Sequence, residues 1–286
     1  MKAARFAVIA LVLSGCAGNQ NGAEAQAPGT TPPASATTAQ ERLAASPRHG
    51  EWVMVKTSAT DSVRAWLVYP ERRNKAPVVV VIHEIFGLSN WVRSVADQLA
   101  ADGFIAIAPD LLTMKNIPNN ANGEPNPDTA RAKIRELDFQ TYQRDISEVA
   151  KFAMNLPAAT KKYGVVGYCW GGTAVFAHGL MYPDADAVVS YYGTTPQVSS
   201  QIAARYAQVQ APVLGLYGEN DARVNATIAP ADSAMKANGK TYEYRIFPGA
   251  GHGFLRQQDG ANGANLRATQ EAWPMTIAWF RKHLAS

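Results

Sequence analysis

This chain of 286 residues has few cysteines, few charges and no long apolar run. Its two cysteines are Cys16 and Cys169. If Cys16 is covalently modified, Cys169 has no partner in the chain and an internal disulfide is excluded. Charged residues make up 17% of the sequence, the net charge is +4, and no lysine or arginine block indicates a nucleic-acid surface. The apolar run at 6–13 is too short to span a bilayer.

The chain is nevertheless long and apolar enough to form a full core. Hydrophobic residues account for 47% of it, which suits one large globular domain or two small ones. We find no internal repeat. The mild positive charge is interpreted as a solvated surface.

The first fifteen residues are predicted to be a targeting segment. Lys2 and Arg5 precede the apolar run, and the run is followed by Leu-Ser-Gly before Cys16. This arrangement resembles a bacterial lipobox, in which the cysteine is lipidated and becomes the mature N-terminus. The alternative is an ordinary secretory signal cleaved nearby, with Cys16 incidental. The lipobox implies an exported protein attached to a membrane by its lipid alone.

Ala17 follows the cysteine, and the absence of aspartate there indicates the outer rather than the inner membrane, at its periplasmic face, by resemblance to enterobacterial sorting. Residues 16–50 are rich in Ala, Thr, Pro, Gly and Gln and poor in large apolar groups. Such a segment buries too little surface to offset the entropy of folding. We therefore expect a disordered tether over 16–50 and a single folded domain over 51–286.

Within that domain, apolar alternation and helical spacing predict a mostly parallel sheet with helices on both faces. The first two strands alternate as an antiparallel pair, and later strands are continuous apolar runs typical of burial on both faces. Strands are predicted at 51–56, 63–69, 78–82, 104–108, 165–167, 187–192, 213–217 and 242–247, and helices at 91–101, 145–155, 173–181 and 266–284. An irregular insert at 113–128 is either a surface loop or part of a lid.

The run GYCWGG at 167–172 follows a predicted strand and has the form of a nucleophile elbow with cysteine in place of serine. A thiol needs a base and an orienting group to act as a nucleophile. Asp221 and then His252 follow later strands, which is the chain order typical of α/β-hydrolases. Alone, each could be structural: Cys169 a small core residue, Asp221 a helix cap and His252 a turn residue.

Ligands of such sheets bind at the carboxyl ends of the strands, so the three side chains should share one edge. Cys169 would attack a carbonyl, His252 would move the proton, and Asp221 would hold the imidazole tautomer. The developing oxyanion needs backbone donors. We predict the amide of Trp170 and, from the loop after an earlier strand, the amide of Ile85.

Several runs together resemble the dienelactone hydrolase family (carboxymethylenebutenolidases). They are HEIFGL at 83–88, APDL at 108–111, the cysteine elbow, SYYG at 190–193 and GAGHGF at 249–254. The likeness extends from about residue 78 to the C-terminus. It implies an α/β-hydrolase fold, a Cys-His-Asp triad, and neither a metal nor an organic cofactor.

The resemblance also implies further site residues. In the family a glutamate, here Glu84, keeps the resting thiol protonated until substrate displaces it. A carboxylate beside a thiol disfavours the thiolate and protects it from oxidation. Arginines hold a substrate carboxylate; Arg256 matches one by position, while Arg131 and Arg135 both qualify for the other. The alternative for Glu84 and Arg256 is a solvated surface role. The chain departs from the family at the insert and at His83, where its best-known member has glutamine.

The sequence thus predicts a hydrolase that opens a carboxylic ester or lactone, with a carboxylate-bearing small molecule as substrate and a thioester intermediate. One alternative is a general carboxylesterase or thiol hydrolase acting on another acyl group with the same triad. Another is a surface-tethered binding lipoprotein that uses the fold only as a scaffold. The oligomeric state is left open.

Overall fold

The computed structural model describes Met1, residues 31–197 and residues 199–285. The predicted signal peptide after Met1, the predicted lipidation site Cys16 and the first half of the predicted tether lie outside the described residues. Among the residues that are described, no helix is long and apolar enough to cross a membrane.

The centre of the fold is one eight-stranded sheet with the strand order β1-β2-β4-β3-β5-β6-β7-β8. The pairings of β2 with β1 and β4 are antiparallel, and all later pairings are parallel. The strands are β1 Gly50–Lys56, β2 Ser62–Val68, β3 Ala76–Ile82, β4 Ile105–Pro109, β5 Ala159–Tyr168, β6 Ala187–Tyr191, β7 Val213–Asn220 and β8 Tyr242–Gly251. The predicted mixed α/β class with a mainly parallel sheet is confirmed.

Helices cover both faces of this sheet. They are α1 Ala39–Ala44, α2 Asn90–Ala101, α3 Pro127–Lys133, α4 Phe139–Met154, α5 Trp170–Met181, α6 Ser200–Gln208, α7 Ala222–Asn225, α8 Ile228–Ala237 and α9 Ala264–His283. Short 3₁₀ turns lie at Thr113–Lys115, Ile134–Glu136 and Ala261–Gly263.

Alternation along the central strands divides the core into two halves. Val79 and Val81 of β3 face α2 and α9, whereas Val78 and Val80 face α4 and α5. All four side chains are fully buried. A continuous valine run is therefore required, because side chains on both faces of a covered strand must be apolar.

Residues 31–49, which we call the arm, differ from the predicted disordered tether. Ala34 and Ala39 are buried, and the indole nitrogen of Trp91 donates to the carbonyl of Ala34 at 3.1 Å. Arg48 pairs with Asp97 of α2 through both its Nε and a terminal nitrogen. The arm is ordered because its small side chains fit against α2 while its backbone groups find partners, which composition alone does not reveal.

The insert is mostly irregular, as predicted. It contains one 3₁₀ turn and a single antiparallel bridge between Asn119 and Pro125, and α3 begins within it at Pro127. A carboxylate oxygen of Glu124 accepts from the amide of Asn90 at 2.6 Å, so the insert rests on the start of α2. Whether it moves as a lid stays a prediction.

We predict that Asp97→Ala weakens the fold by releasing the arm. Arg48 would lose its partner in a pair whose side chains are only 12% and 5% exposed. Loss of one member of a buried pair destabilises by about 3 kcal/mol. Urea unfolding should report this decrease. The matched control Asp232→Ala breaks an exposed pair with Lys236 and should change the free energy of unfolding by less than about 1 kcal/mol. Equal effects of the two substitutions would contradict the assignment.

Candidate active site

Five loops meet at one edge of the sheet, because β3 and β5 to β8 run parallel and their carboxyl ends coincide. Glu84 follows β3, Cys169 follows β5, Tyr192 follows β6, Asp221 follows β7 and His252 follows β8. The predicted site residues therefore lie on neighbouring strand ends, which is where ligands bind in sheets of this kind.

Cys169 occupies a sharp turn between β5 and α5. Its φ is 54° and its ψ is −114°, a backbone conformation that residues other than glycine rarely adopt. The turn closes tightly on both sides. A Cβ on Gly167 would lie 2.1 Å from the carbonyl oxygen of Gly171, and a Cβ on Gly171 would lie 2.5 Å from that of His83. Only glycine fits these two positions, so the thiol is presented at a strained elbow.

Asp221 and His252 are joined directly across β7 and β8. Nδ1 of His252 donates to Oδ2 of Asp221 at 2.5 Å, and the Asp221 side chain is only 8% exposed. The imidazole ring packs edge-on against Tyr192 with centroids 5.2 Å apart. The carboxylate thus fixes the imidazole tautomer and orientation.

The charge on His252 is set by its neighbours. Burial disfavours the imidazolium, but the hydrogen bond with Asp221 and the influence of the nearby Cys169 outweigh burial and raise the pKa of His252 to about 9. The imidazole is thus influenced by both the carboxylate and the thiol. The structure brings together the three side chains that the sequence singled out, from parts of the chain 31 to 83 residues apart.

Glu84 is buried at the same edge, and its partner is Arg256. Nε of Arg256 donates to Oε2 of Glu84 at 2.7 Å, and the Glu84 side chain is 4% exposed. Burial raises the pKa of Glu84, while the charge and hydrogen bond of Arg256 act in the opposite direction. The carboxylate is thus engaged by the guanidinium in this arrangement, whereas the family resemblance implied contact with the resting thiol.

The arginines differ in position. The guanidinium carbons of Arg131 and Arg256 lie 5.5 and 5.1 Å from the centre of the Phe86 ring. Arg135 is exposed and lies in the 3₁₀ turn after α3. The geometry therefore favours Arg131 over Arg135, a choice that the sequence left open.

The two predicted backbone donors lie on segments that touch. Trp170 is the first residue of α5, where amides have no partner within the helix. Ile85 lies in the turn after β3. The contact of Gly171 with the carbonyl of His83 holds these two segments together.

Sequence reasoning missed the roles of two buried residues. His83 is stacked on Trp170, and its Nδ1 donates to the carbonyl of Glu84 at 2.7 Å while Nε2 accepts from the amide of Leu111. Burial lowers the pKa of His83, which keeps this bridge neutral. Tyr192 has φ of 39°, and its buried hydroxyl has no hydrogen-bond partner among the described residues. The SYYG run was visible in the sequence, but nothing there signals the backbone strain.

Across the part of the chain that the structure covers, no group of three or more His, Cys, Asp and Glu side chains is arranged to hold a metal ion.

A mainly parallel sheet with a strained elbow after its central strand, followed in the chain by an aspartate and a histidine at the same edge, defines an α/β-hydrolase. The family model for the dienelactone hydrolase family matches residues 63–284. The chain belongs to this family.

Similar proteins agree with this assignment. A protein assigned as a carboxymethylenebutenolidase in Salmonella typhimurium is 27% identical over 236 residues, covering 79% of this chain and 85% of that protein. One from Methylorubrum extorquens is 29% identical and covers 80% of each. The crystal structure of a protein assigned as a dienelactone hydrolase in Klebsiella pneumoniae superimposes with a TM-score of 0.70 at 25% identity, covering 82% of this chain and 99% of that one. The chain is a carboxylic ester hydrolase of the dienelactone hydrolase type.

We predict that Asp221→Asn lowers the pKa of His252, since the carboxylate raises it. NMR titration of the imidazole should show the shift, and Asp232→Asn on a remote helix should leave it in place. The raised pKa adds stability that is complete below pH 6.5 and lost as the pH rises through about 9. Asp221→Asn should therefore lose most stability below about pH 6.5; an unchanged titration would contradict the role given to Asp221.

Proposed function

We propose that the protein hydrolyses carboxylic esters or lactones through a thioester on Cys169. The observation that carries this proposal is the hydrogen bond of Asp221 with His252, with the Cys169 sulfur of the elbow close enough to the imidazole to raise its pKa. A protonated imidazole beside the sulfur favours the thiolate, which is the attacking species. A binding protein that uses the fold only as a scaffold has no need of a protonated imidazole beside a thiol.

The reaction proceeds in two steps. The Cys169 thiolate forms a bond to the substrate carbonyl carbon, the carbon–oxygen bond to the leaving group breaks, and the His252 imidazolium gives its proton to that oxygen. In a lactone the leaving oxygen stays tethered to the acyl chain. Water then gives a proton to His252 and forms a bond to the thioester carbon, the carbon–sulfur bond breaks, and the acid leaves with the thiolate–imidazolium pair restored.

The amides of Trp170 and Ile85 stabilise the oxyanion in both steps. The first residue of α5 adds the positive end of the helix dipole to its free amide. Removal of one such donor typically costs about 3 kcal/mol of transition-state stabilisation.

Glu84 acts as the guard of the thiol in this proposal. Its burial and raised pKa suit a carboxyl group that can hold a proton near a sulfur. In the structure Glu84 is paired with Arg256, so guarding the thiol requires the carboxyl group to exchange between Arg256 and Cys169.

The proposed substrate carries a carboxylate. Arg256 and Arg131 flank Phe86, and a guanidinium pairs with a carboxylate through two parallel hydrogen bonds.

For the cellular location we propose export and lipid attachment at Cys16 to the outer membrane. The proposal is supported by the order of the first sixteen residues, in which basic residues come first, an apolar run follows, and small residues precede the cysteine.

We predict that Cys169→Ala abolishes the acyl-enzyme burst with p-nitrophenyl acetate. The substitution removes the sulfur but keeps a small side chain at the elbow. Measurements in a Cys16→Ser background leave Cys169 as the only thiol. Cys169→Ser is the matched control for the turn itself and should retain a slow burst, because a hydroxyl can still form an ester. A full burst in Cys169→Ala would refute the nucleophile assignment.

We also predict that Glu84→Gln raises the rate at which iodoacetamide alkylates Cys169. A neutral amide cannot keep the thiol protonated, and it lacks the negative charge with which the Glu84 carboxylate repels the thiolate. Glu124→Gln removes a carboxylate on the insert instead and should leave the rate unchanged. Equal rates in Glu84→Gln and the wild type would remove the guard from the proposal.

A further inference from the structure

A cavity of about 250 Å³ is lined in part by Arg256, and none of Cys169, Asp221 and His252 is among its lining residues. Its walls come from five segments: the arm, the loop after β3, the start of α2, the insert and the loop after β8. The residues that matter here are Ala36, Phe86, Trp91, Glu124, Pro125 and Arg256. None of the roles proposed above for the hydrolytic step uses this space.

The arm forms a fixed wall of the cavity. The amide of Ala36 donates to the carbonyl of Arg256 at 2.9 Å. On the N-terminal side of Ala36, Gln258 donates to the carbonyl of Pro33 at 2.9 Å and Trp91 to that of Ala34 at 3.1 Å. Because backbone groups hold it, the Cβ of Ala36 keeps its place whatever side chain it carries.

This wall lies outside the family match, which begins at residue 63, whereas the arm ends at residue 49. The opposite wall is the insert, held by the bond from Asn90 to Glu124. An element outside the shared catalytic fold that borders a substrate-binding arginine is well placed to set specificity.

The lining indicates what would bind. Phe86 and Trp91 present aromatic surface and Pro125 a flat aliphatic ring, which together suit a planar ring. Arg256 uses Nε for Glu84, which leaves its two terminal nitrogens for a carboxylate. One oxygen of Glu124 accepts from Asn90, and its second oxygen can accept from a hydroxyl. A cavity of about 150 Å³ already admits benzene, so this one is large enough for a substituted ring.

We propose that this cavity is a subsite for a hydroxylated six-membered ring on the acid part of the substrate, with the arm as its specificity-determining wall. The inference rests on the proposed function only in taking Arg256 as the group that binds the substrate carboxylate. The ring lies between the arm and the insert, its carboxylate points to Arg256, and its hydroxyl donates to Glu124.

Binding of product-like acids tests the subsite without requiring turnover. Calorimetry should show that the wild type binds 4-hydroxyphenylacetate at least tenfold more tightly than acetate. Ala36→Trp fills the cavity and should abolish this preference. Thr37→Trp is the matched control, since Thr37 is exposed on the same stretch of the arm and does not line the cavity. Equal unfolding midpoints of the two variants will show that both are folded.

Hydrolysis gives a second measurement. In Ala36→Trp, kcat/KM for the monomethyl ester of 4-hydroxyphenylmalonate, which keeps one free carboxylate for Arg256, should fall at least tenfold, while that for monomethyl malonate should change less than twofold. The subsite proposal is wrong if the wild type shows no preference for the ring-bearing ligand. It is also wrong if that preference persists in Ala36→Trp. A wild type that shows the ring preference in binding but hydrolyses neither ester would refute the proposed function and leave the subsite standing.

Discussion

The arrangement of the whole edge depends on one constraint, the left-handed backbone of Cys169 between β5 and α5. A side chain held in this region costs of order 1–3 kcal/mol and persists only when its surroundings determine it. Here the surroundings are backbone: Gly167 closes against Gly171, and Gly171 closes against the carbonyl of His83. The same contacts bring the start of α5 against the loop after β3. Relaxing the elbow would therefore move the sulfur and both predicted oxyanion donors together.

The buried ion pair of Glu84 and Arg256 links this elbow to the charge of the ligand. A buried carboxylate is stable only with a partner, and the loss of that partner is expensive. A substrate carboxylate that competes for Arg256 changes the surroundings of Glu84 a short way from the thiol. His83 holds the carbonyl of Glu84 while staying neutral, so the backbone beneath the pair is fixed and only the side chains can rearrange.

Much of this fold could be predicted from the sequence, because the central strands β3, β4 and β6 are continuous apolar runs and the first two strands alternate. Pairing of Asp221 with His252 could be predicted from chain order, since adjacent parallel strands end side by side. The start of α4 was placed too late: Asp138 accepts from the amide of Thr141 and begins the helix before its apolar spacing is evident. Tertiary contacts could not be foreseen, among them the partner of Glu84 and the packing of Ala34, whose small side chain gives no signal in composition.

The arm shows why specificity can lie outside the catalytic fold. The elbow tolerates little change, since its glycines touch backbone on both sides. The arm is held by carbonyl and amide groups and by the pair of Arg48 with Asp97, none of which depends on the side chain of Ala36. A position whose backbone is fixed but whose side chain is free can vary in size without disturbing the fold. Since Ala36 and Arg256 line the same cavity, such variation changes the space beside the residue that is proposed to receive the substrate.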